Sequence, residues 1–245
     1  MNNIGIIGLG RFGKVLVSIL QKGYKIYGYD KQNIDQIPGV ITCGLSEVLK
    51  QKVIFISVPI RSFKSLIQSI APQLNDDVTL IDVCSVKTYP VKIMKKYLSS
   101  KVGIIATHPM FGPDSYLSNN KLKMMMNCVN DPNNQFDSWK EFFRNQQIDI
   151  KEMSPDEHDK MAARSQGVTH FLGRMLKQFG ITKSSIDTQG FKDLLDLVDQ
   201  TCNDTWELYT DLQLYNPYTM DIISDLRSST ETLHNQLKEL ENVET

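Results

Sequence analysis

No apolar run in this chain approaches the ~18 residues that would cross a bilayer as a helix, so nothing in it calls for a membrane span. Net charge is also scarce. The 27 basic and 28 acidic residues leave -1, which gives no electrostatic grip on nucleic acid or an anionic membrane. Cysteines are few and scattered: Cys43, Cys84, Cys128 and Cys202 form no C-x-x-C pair, which removes the grounds for a zinc site or a disulfide framework. Repeats, low-complexity tracts and long flexible linkers are missing too. The first residues show no basic n-region, long apolar h-region or small-residue cleavage site, so a cytoplasmic protein is expected. What is present is globular. Hydrophobic residues make up 41% of 245, enough for a core, and that length suits two domains of ordinary size.

The first half alternates short apolar strands with helical segments. Asn3 to Ile7 reads as a strand, and Gly8-Leu9-Gly10-Arg11-Phe12-Gly13 follows it at once. Val15, Leu16, Ile19 and Leu20 then have helical spacing, ending near Gly23. Strand, glycine turn and helix in that order are the context that makes G-x-G-x-x-G a dinucleotide fingerprint. Gly8 permits the tight turn, Gly10 lets backbone approach a pyrophosphate, and Gly13 allows close helix–strand packing. The helix N-terminus then offers N–H groups and a partial positive charge to phosphates. A second strand, Lys25 to Tyr29, ends in Asp30, 17 residues after Gly13. A carboxylate there suits ribose hydroxyls and repels a 2′-phosphate, which favours NAD, although Lys31 next door softens the repulsion.

Further strands are expected at Val53 to Val58, closed by Pro59, at Val78 to Val83, and at Val102 to Ala106. Lys123 to Val129 and Ile148 to Lys151 add two more, with a helix over Phe136 to Phe143. The pattern specifies an α/β Rossmann-like domain with a mostly parallel sheet over residues 1–153. Ligands of such sheets bind at the carboxyl ends of the strands. Gly8 to Gly13, Asp30, Pro59, Ser85 and His108 all fall at such ends. In Ile104 to Pro113 an apolar run delivers His108 and is then stopped by Pro109, Gly112 and Pro113, which is how an active-site rim is built. A histidine, unperturbed near 6.5, is well matched to act as general base at that place.

Residues 154–245 read as a smaller all-α domain. Ser154-Pro155-Asp156-Glu157 is a helix start with a capping box, and the helix should run to about Phe179. Gln166, His170 and Arg174 recur every four residues among small neighbours, a stripe that can line a cleft as well as face solvent. His158 and His170 stand ~120° apart around a helix, the wrong relation for a metal pair, so zinc is rejected. Phe191 to Leu212 is expected as one long amphipathic helix ending at Asn216-Pro217, and Met220 to about Leu240 as another. Two long helices with little else to cover them suggest a homodimer through this domain.

The chain resembles the prephenate/arogenate dehydrogenases over most of its length. The likeness rests on Gly8-Leu9-Gly10-x-x-Gly13, on Asp82-Val83-Cys84-Ser85-Val86-Lys87, and on His108-Pro109-Met110-Phe111-Gly112-Pro113. It rests also on Glu157-His158-Asp159 with Ser165-Gln166 and Thr169-His170, and the helical half is most similar to the plant arogenate enzymes. The resemblance implies oxidative decarboxylation of a cyclohexadienyl acid, prephenate or arogenate, with hydride passed to NAD or NADP. It implies His108 as the base, Ser85 as an orienting partner beside the hydroxyl and nicotinamide, and His170 at the substrate. Apart from the resemblance, the helical stripe offers Gln166 and Arg174 as further substrate candidates, Arg174 by charge alone, and Lys87 is another. An arginine that bacterial relatives use to hold a carboxylate has no match in Gly190-Phe191-Lys192-Asp193. Plant relatives usually take NADP, against the reading of Asp30. Two other readings compete: a β-hydroxyacid or imine reductase of the same architecture, and a dinucleotide-sensing module without chemistry, which would leave Ser85, His108 and His170 without a purpose.

Overall fold

The computed structural model describes residues 2–117 and 121–244. It divides into two compact units, one ending at His158 and one beginning at Asp159, a few residues past the expected join.

In the first unit the chain alternates through β1 (Asn2–Ile7), α1 (Arg11–Leu20), β2 (Tyr24–Tyr29), β3 (Val40–Thr42), α2 (Leu45–Val48), β4 (Val53–Ile56) and α3 (Ile60–Ile70). It continues through β5 (Thr79–Asp82), α4 (Thr88–Tyr97), β6 (Gly103–Pro109), α5 (Pro113–Leu117), β7 (Lys123–Asn130), α6 (Phe136–Asn145) and β8 (Asp149–Glu152). One eight-stranded sheet results, in the order β3-β2-β1-β4-β5-β6-β7-β8. The strands from β3 to β6 in that order are parallel, β7 runs antiparallel to β6, and β8 lies parallel to β7. This is the mostly parallel Rossmann-like sheet the alternation specifies. β3, α2, α4 and α5 are additions; β3, α2 and α5, at three, four and five residues, are too short to show a period.

β4, β5 and β6 are buried along their whole length, as their uninterrupted apolar runs require of strands covered on both faces. α1 lays Val15, Leu16, Ile19 and Leu20 into the core. On the sheet, Trp139 of α6 stacks on Tyr24 at 4.8 Å and meets Phe55 edge-on at 4.9 Å, with Phe143 also fully buried. Offset and edge-on pairs of this kind add about 0.5–1.5 kcal/mol each beyond burial. The β1–α1 turn, the end of β2 and the β4–α3, β5–α4 and β6–α5 connections therefore leave from the same edge of a rigid sheet.

The second helical series opens with α7 (Pro155–Ala162). Its capping box forms as expected: the Ser154 N–H donates to Glu157 at 2.9 Å, and the Glu157 N–H donates to the Ser154 hydroxyl at 3.2 Å. The run to Phe179 is interrupted by a π turn at Ala163–Gly167 before α8 (Val168–Phe179). The single helix expected from Phe191 to Leu212 is instead two, α9 (Gln189–Cys202) and α10 (Trp206–Tyr215). Thr205 is the reason. Its side chain accepts from the Leu208 N–H and caps a new N-terminus. α11 (Thr219–Glu244) is one 26-residue helix. Among the described residues no helix is long and apolar enough to cross a membrane.

Candidate active site

The glycine turn is dictated by close contacts. Gly8 sits at φ +96, and a Cβ there would lie 2.2 Å from the Ser57 carbonyl oxygen. At Gly13 a Cβ would lie 2.3 Å from the Gly8 carbonyl oxygen, so the α1 helix can touch the turn only through a glycine. Gly10 differs. A Cβ there meets nothing within 4 Å, so its glycine leaves backbone open toward empty space. No side chain caps α1, whose cap residue is Gly10 itself. An open glycine ahead of an uncapped helix N-terminus fits a pyrophosphate.

Asp30 does two things at once. Its carboxylate accepts from the Leu9 N–H at 2.8 Å and from the Gln32 N–H at 2.9 Å, which ties the end of β2 to the glycine turn. Leu9 itself, expected at the cofactor, puts its side chain wholly into the core and its N–H on Asp30. Arg11 is exposed and pairs with Asp114 at 3.3 Å, and Phe12 faces Phe111 at 6.2 Å between ring centres. The glycine turn is thus joined to the segment that follows His108. Pro59 begins α3 at the end of β4 and is exposed.

His108 lies in β6, opposite Met125 of β7, and only 3% of it is exposed. Its Nδ1 stands 2.8 Å from Nε2 of His158, which is equally buried on α7. Burial, then the charges of His158 and Lys87, hold the His108 ring well below its ordinary pKa, so it is neutral at neutral pH. Ser85, half-buried, follows the end of the neighbouring strand β5. Lys87 departs from expectation. It is fully buried, and its ammonium donates to the Asp82 carboxylate and the Thr107 carbonyl, so it holds two strand ends together. The Thr107 hydroxyl adds a 2.6 Å bond to the Asp82 carbonyl. Burial raises the Asp82 pKa against the pull of Lys87.

In the helical unit Gln166 falls in the π turn, and His170 and Arg174 follow on α8. Gln166 Oε1 and His170 Nδ1 are buried atoms with no hydrogen-bond partner, which suits residues waiting for a polar ligand. Burial lowers the His170 pKa, partly opposed by the charge of Asp204. Arg174 is more committed. It donates to the Asp204 carbonyl at 2.5 Å, and its guanidinium lies over Tyr209 at 5.3 Å and Trp206 at 5.9 Å.

A glycine turn built for pyrophosphate and a neutral, buried histidine on a strand end of the same sheet define a dinucleotide-dependent oxidoreductase. Residues 18–147 match the family model "Prephenate dehydrogenase, nucleotide-binding domain", and residues 175–245 match "TYRAAT1-like, C-terminal domain". Two arogenate dehydrogenases of Arabidopsis thaliana, both described as chloroplastic, are 30% and 31% identical over 96% of this chain, which spans 69% of one and 39% of the other. The fold is that of prephenate dehydrogenase from A. aeolicus, solved with hydroxyphenyl propionate and NAD+, at TM-score 0.75 and 20% identity over 98% of this chain and 91% of that one. The chain belongs to the prephenate/arogenate dehydrogenase family.

Proposed function

We propose that the chain carries out oxidative decarboxylation of a cyclohexadienyl acid, with His108 as the base at its ring hydroxyl. The observation that carries this is a histidine kept neutral by burial on the strand-end edge that also holds the glycine turn. A neutral imidazole can take the hydroxyl proton as the carbon beneath it loses hydride, and can return it to the phenolic oxygen as the ring carboxylate leaves as CO2. Bound NAD or NADP supplies the hydride acceptor, held by Gly8 to Gly13 and the α1 N-terminus. Ser85 orients the hydroxyl from the adjoining strand end.

Asp30 favours NAD, because its carboxylate stands at the end of β2 and would meet a 2′-phosphate as a like charge. We favour arogenate over prephenate. Two arogenate enzymes of Arabidopsis thaliana, at 30% and 31% identity, support that choice. The four free cysteines suit a reducing cytoplasm, and the apolar surface of α11 suits a homodimer through the helical unit.

Steady-state kinetics with both substrates and both cofactors test this directly. The expected result is the highest kcat/KM for arogenate with NAD. Turnover of neither cyclohexadienyl acid, or a preference for 3-hydroxyacids, would overturn the assignment.

A further inference from the structure

His158 has no part in the chemistry described so far, yet it is the ring that His108 touches. The contact runs from His108 Nδ1 to His158 Nε2 at 2.8 Å, with ring centres 4.9 Å apart and planes at 77°. Both side chains are 3% exposed, so water offers little as an alternative partner. The backbone beneath His108 is fixed independently: β6 pairs it with Met125, and Lys87 and Asp82 clamp Thr107. What remains adjustable is which nitrogen of each ring carries hydrogen.

Only one arrangement lets His108 act as a base. Two neutral imidazoles in contact share one hydrogen along the Nδ1···Nε2 line. If His158 donated it, His108 would carry its own hydrogen on Nε2 and could accept nothing there. If His108 donates from Nδ1, its Nε2 is bare and the His158 hydrogen lies on Nδ1. We propose that His158 is a positioning residue for this reaction: it holds His108 in the Nδ1–H tautomer and receives that proton while His108 Nε2 holds the one from the substrate hydroxyl. The balance is closed. The hydroxyl O–H bond breaks as Nε2–H forms on His108, Nδ1–H breaks as Nε2–H forms on His158, and both transfers reverse when the phenol is completed. The proton relay itself draws on no oxidant, reductant or solvent proton. The positive charge gained at a buried ring is thereby shared between two rings. A partner that sets a tautomer is worth orders of magnitude where the wrong tautomer cannot react.

The inference rests on the base role of His108, and the experiment separates the two. His158→Gln places an amide oxygen the same number of bonds from Cβ as the imidazole Nε2, so it can accept from His108 but cannot take a proton. His158→Phe can do neither. The expected kcat order is wild type, then H158Q about tenfold lower, then H158F about a hundredfold lower or more, with NAD affinity by fluorescence quenching and substrate KM within about threefold. Long-range 1H–15N spectra of 15N-histidine-labelled wild type, with His108 assigned by its loss in His108→Asn, should show the Nδ1–H tautomer and need no variant of His158. A His108 ring in the Nε2–H form, an H158F kcat within twofold of wild type, or equal kcat losses in H158Q and H158F would each overturn the proposal. Retention of turnover by H108N would instead remove His108 as the base, a failure of the underlying reading.

Discussion

At the scale of single residues, the site is governed by what burial does to charge. His108 binds its proton more weakly in the folded chain than when unfolded, through burial first and then the positive charge near it. Activity should therefore survive acidification further than a solvent-exposed histidine would allow. The acid limb of kcat/KM against pH, which reports the free enzyme's base, is expected to have its midpoint below about 6.5. A midpoint above that value would mean that some other group supplies the base. The same shift bears on stability. Below about 6.5 the unfolded chain takes up a proton that the native ring refuses, so stability from this residue is complete above that pH and is lost as pH falls toward the depressed native value. His108→Asn should flatten that part of the denaturation profile while bringing turnover down more than tenfold.

At the scale of elements, the proposed chemistry sits at the ends of strands, and Asp30 already has a structural task there. Its carboxylate braces the glycine turn through the Leu9 N–H, and the proposed function adds the adenosine ribose as a second partner. Asp30→Asn keeps an oxygen for that N–H and removes the charge. The NADP to NAD ratio of kcat/KM should rise about tenfold, equivalent to about 1.4 kcal/mol, with some loss of affinity for both. An unchanged ratio would leave Asp30 a brace and nothing more. Much of this element-level layout was legible in advance, because a strand, a glycine turn and a helix start are local patterns of ten residues or fewer. The His108–His158 contact was not, since 50 residues separate the partners and only the fold brings the start of α7 against β6. The sequence signal for His158 is its place in Glu157-His158-Asp159. Lys87 is hard to place for a related reason. A lysine near a strand end looks like a ligand for anions, and only the buried Asp82 five residues earlier marks it as an internal ion pair. The split between α9 and α10 could have been read from Asn203-Asp204-Thr205, a cap hidden by apolar residues spaced helically on either side.

At the scale of the whole molecule, the question is what covers the helical unit. α11 presents Leu233, Leu237 and Leu240 at 62%, 66% and 63% exposure, residues at spacings of four and three on one stripe. Scattered exposed leucines are ordinary, but three on one face of successive helical turns make an apolar stripe of a kind found at association surfaces. Full burial of a leucine side chain contributes about 1.5–3 kcal/mol, so three on each of two protomers supply a substantial share of a stable interface. The expected outcome is a homodimer at micromolar concentration in sedimentation equilibrium, with a melting temperature that rises with protein concentration, because association stabilises the folded chain by mass action. Leu237→Glu, which puts a charge in the middle of the stripe, should shift the population to monomer without loss of NAD binding, since the glycine turn and Asp30 belong to the other unit. A wild-type monomer at micromolar concentration would instead make the stripe a solvent-facing helix surface, and the association through α11 would be wrong.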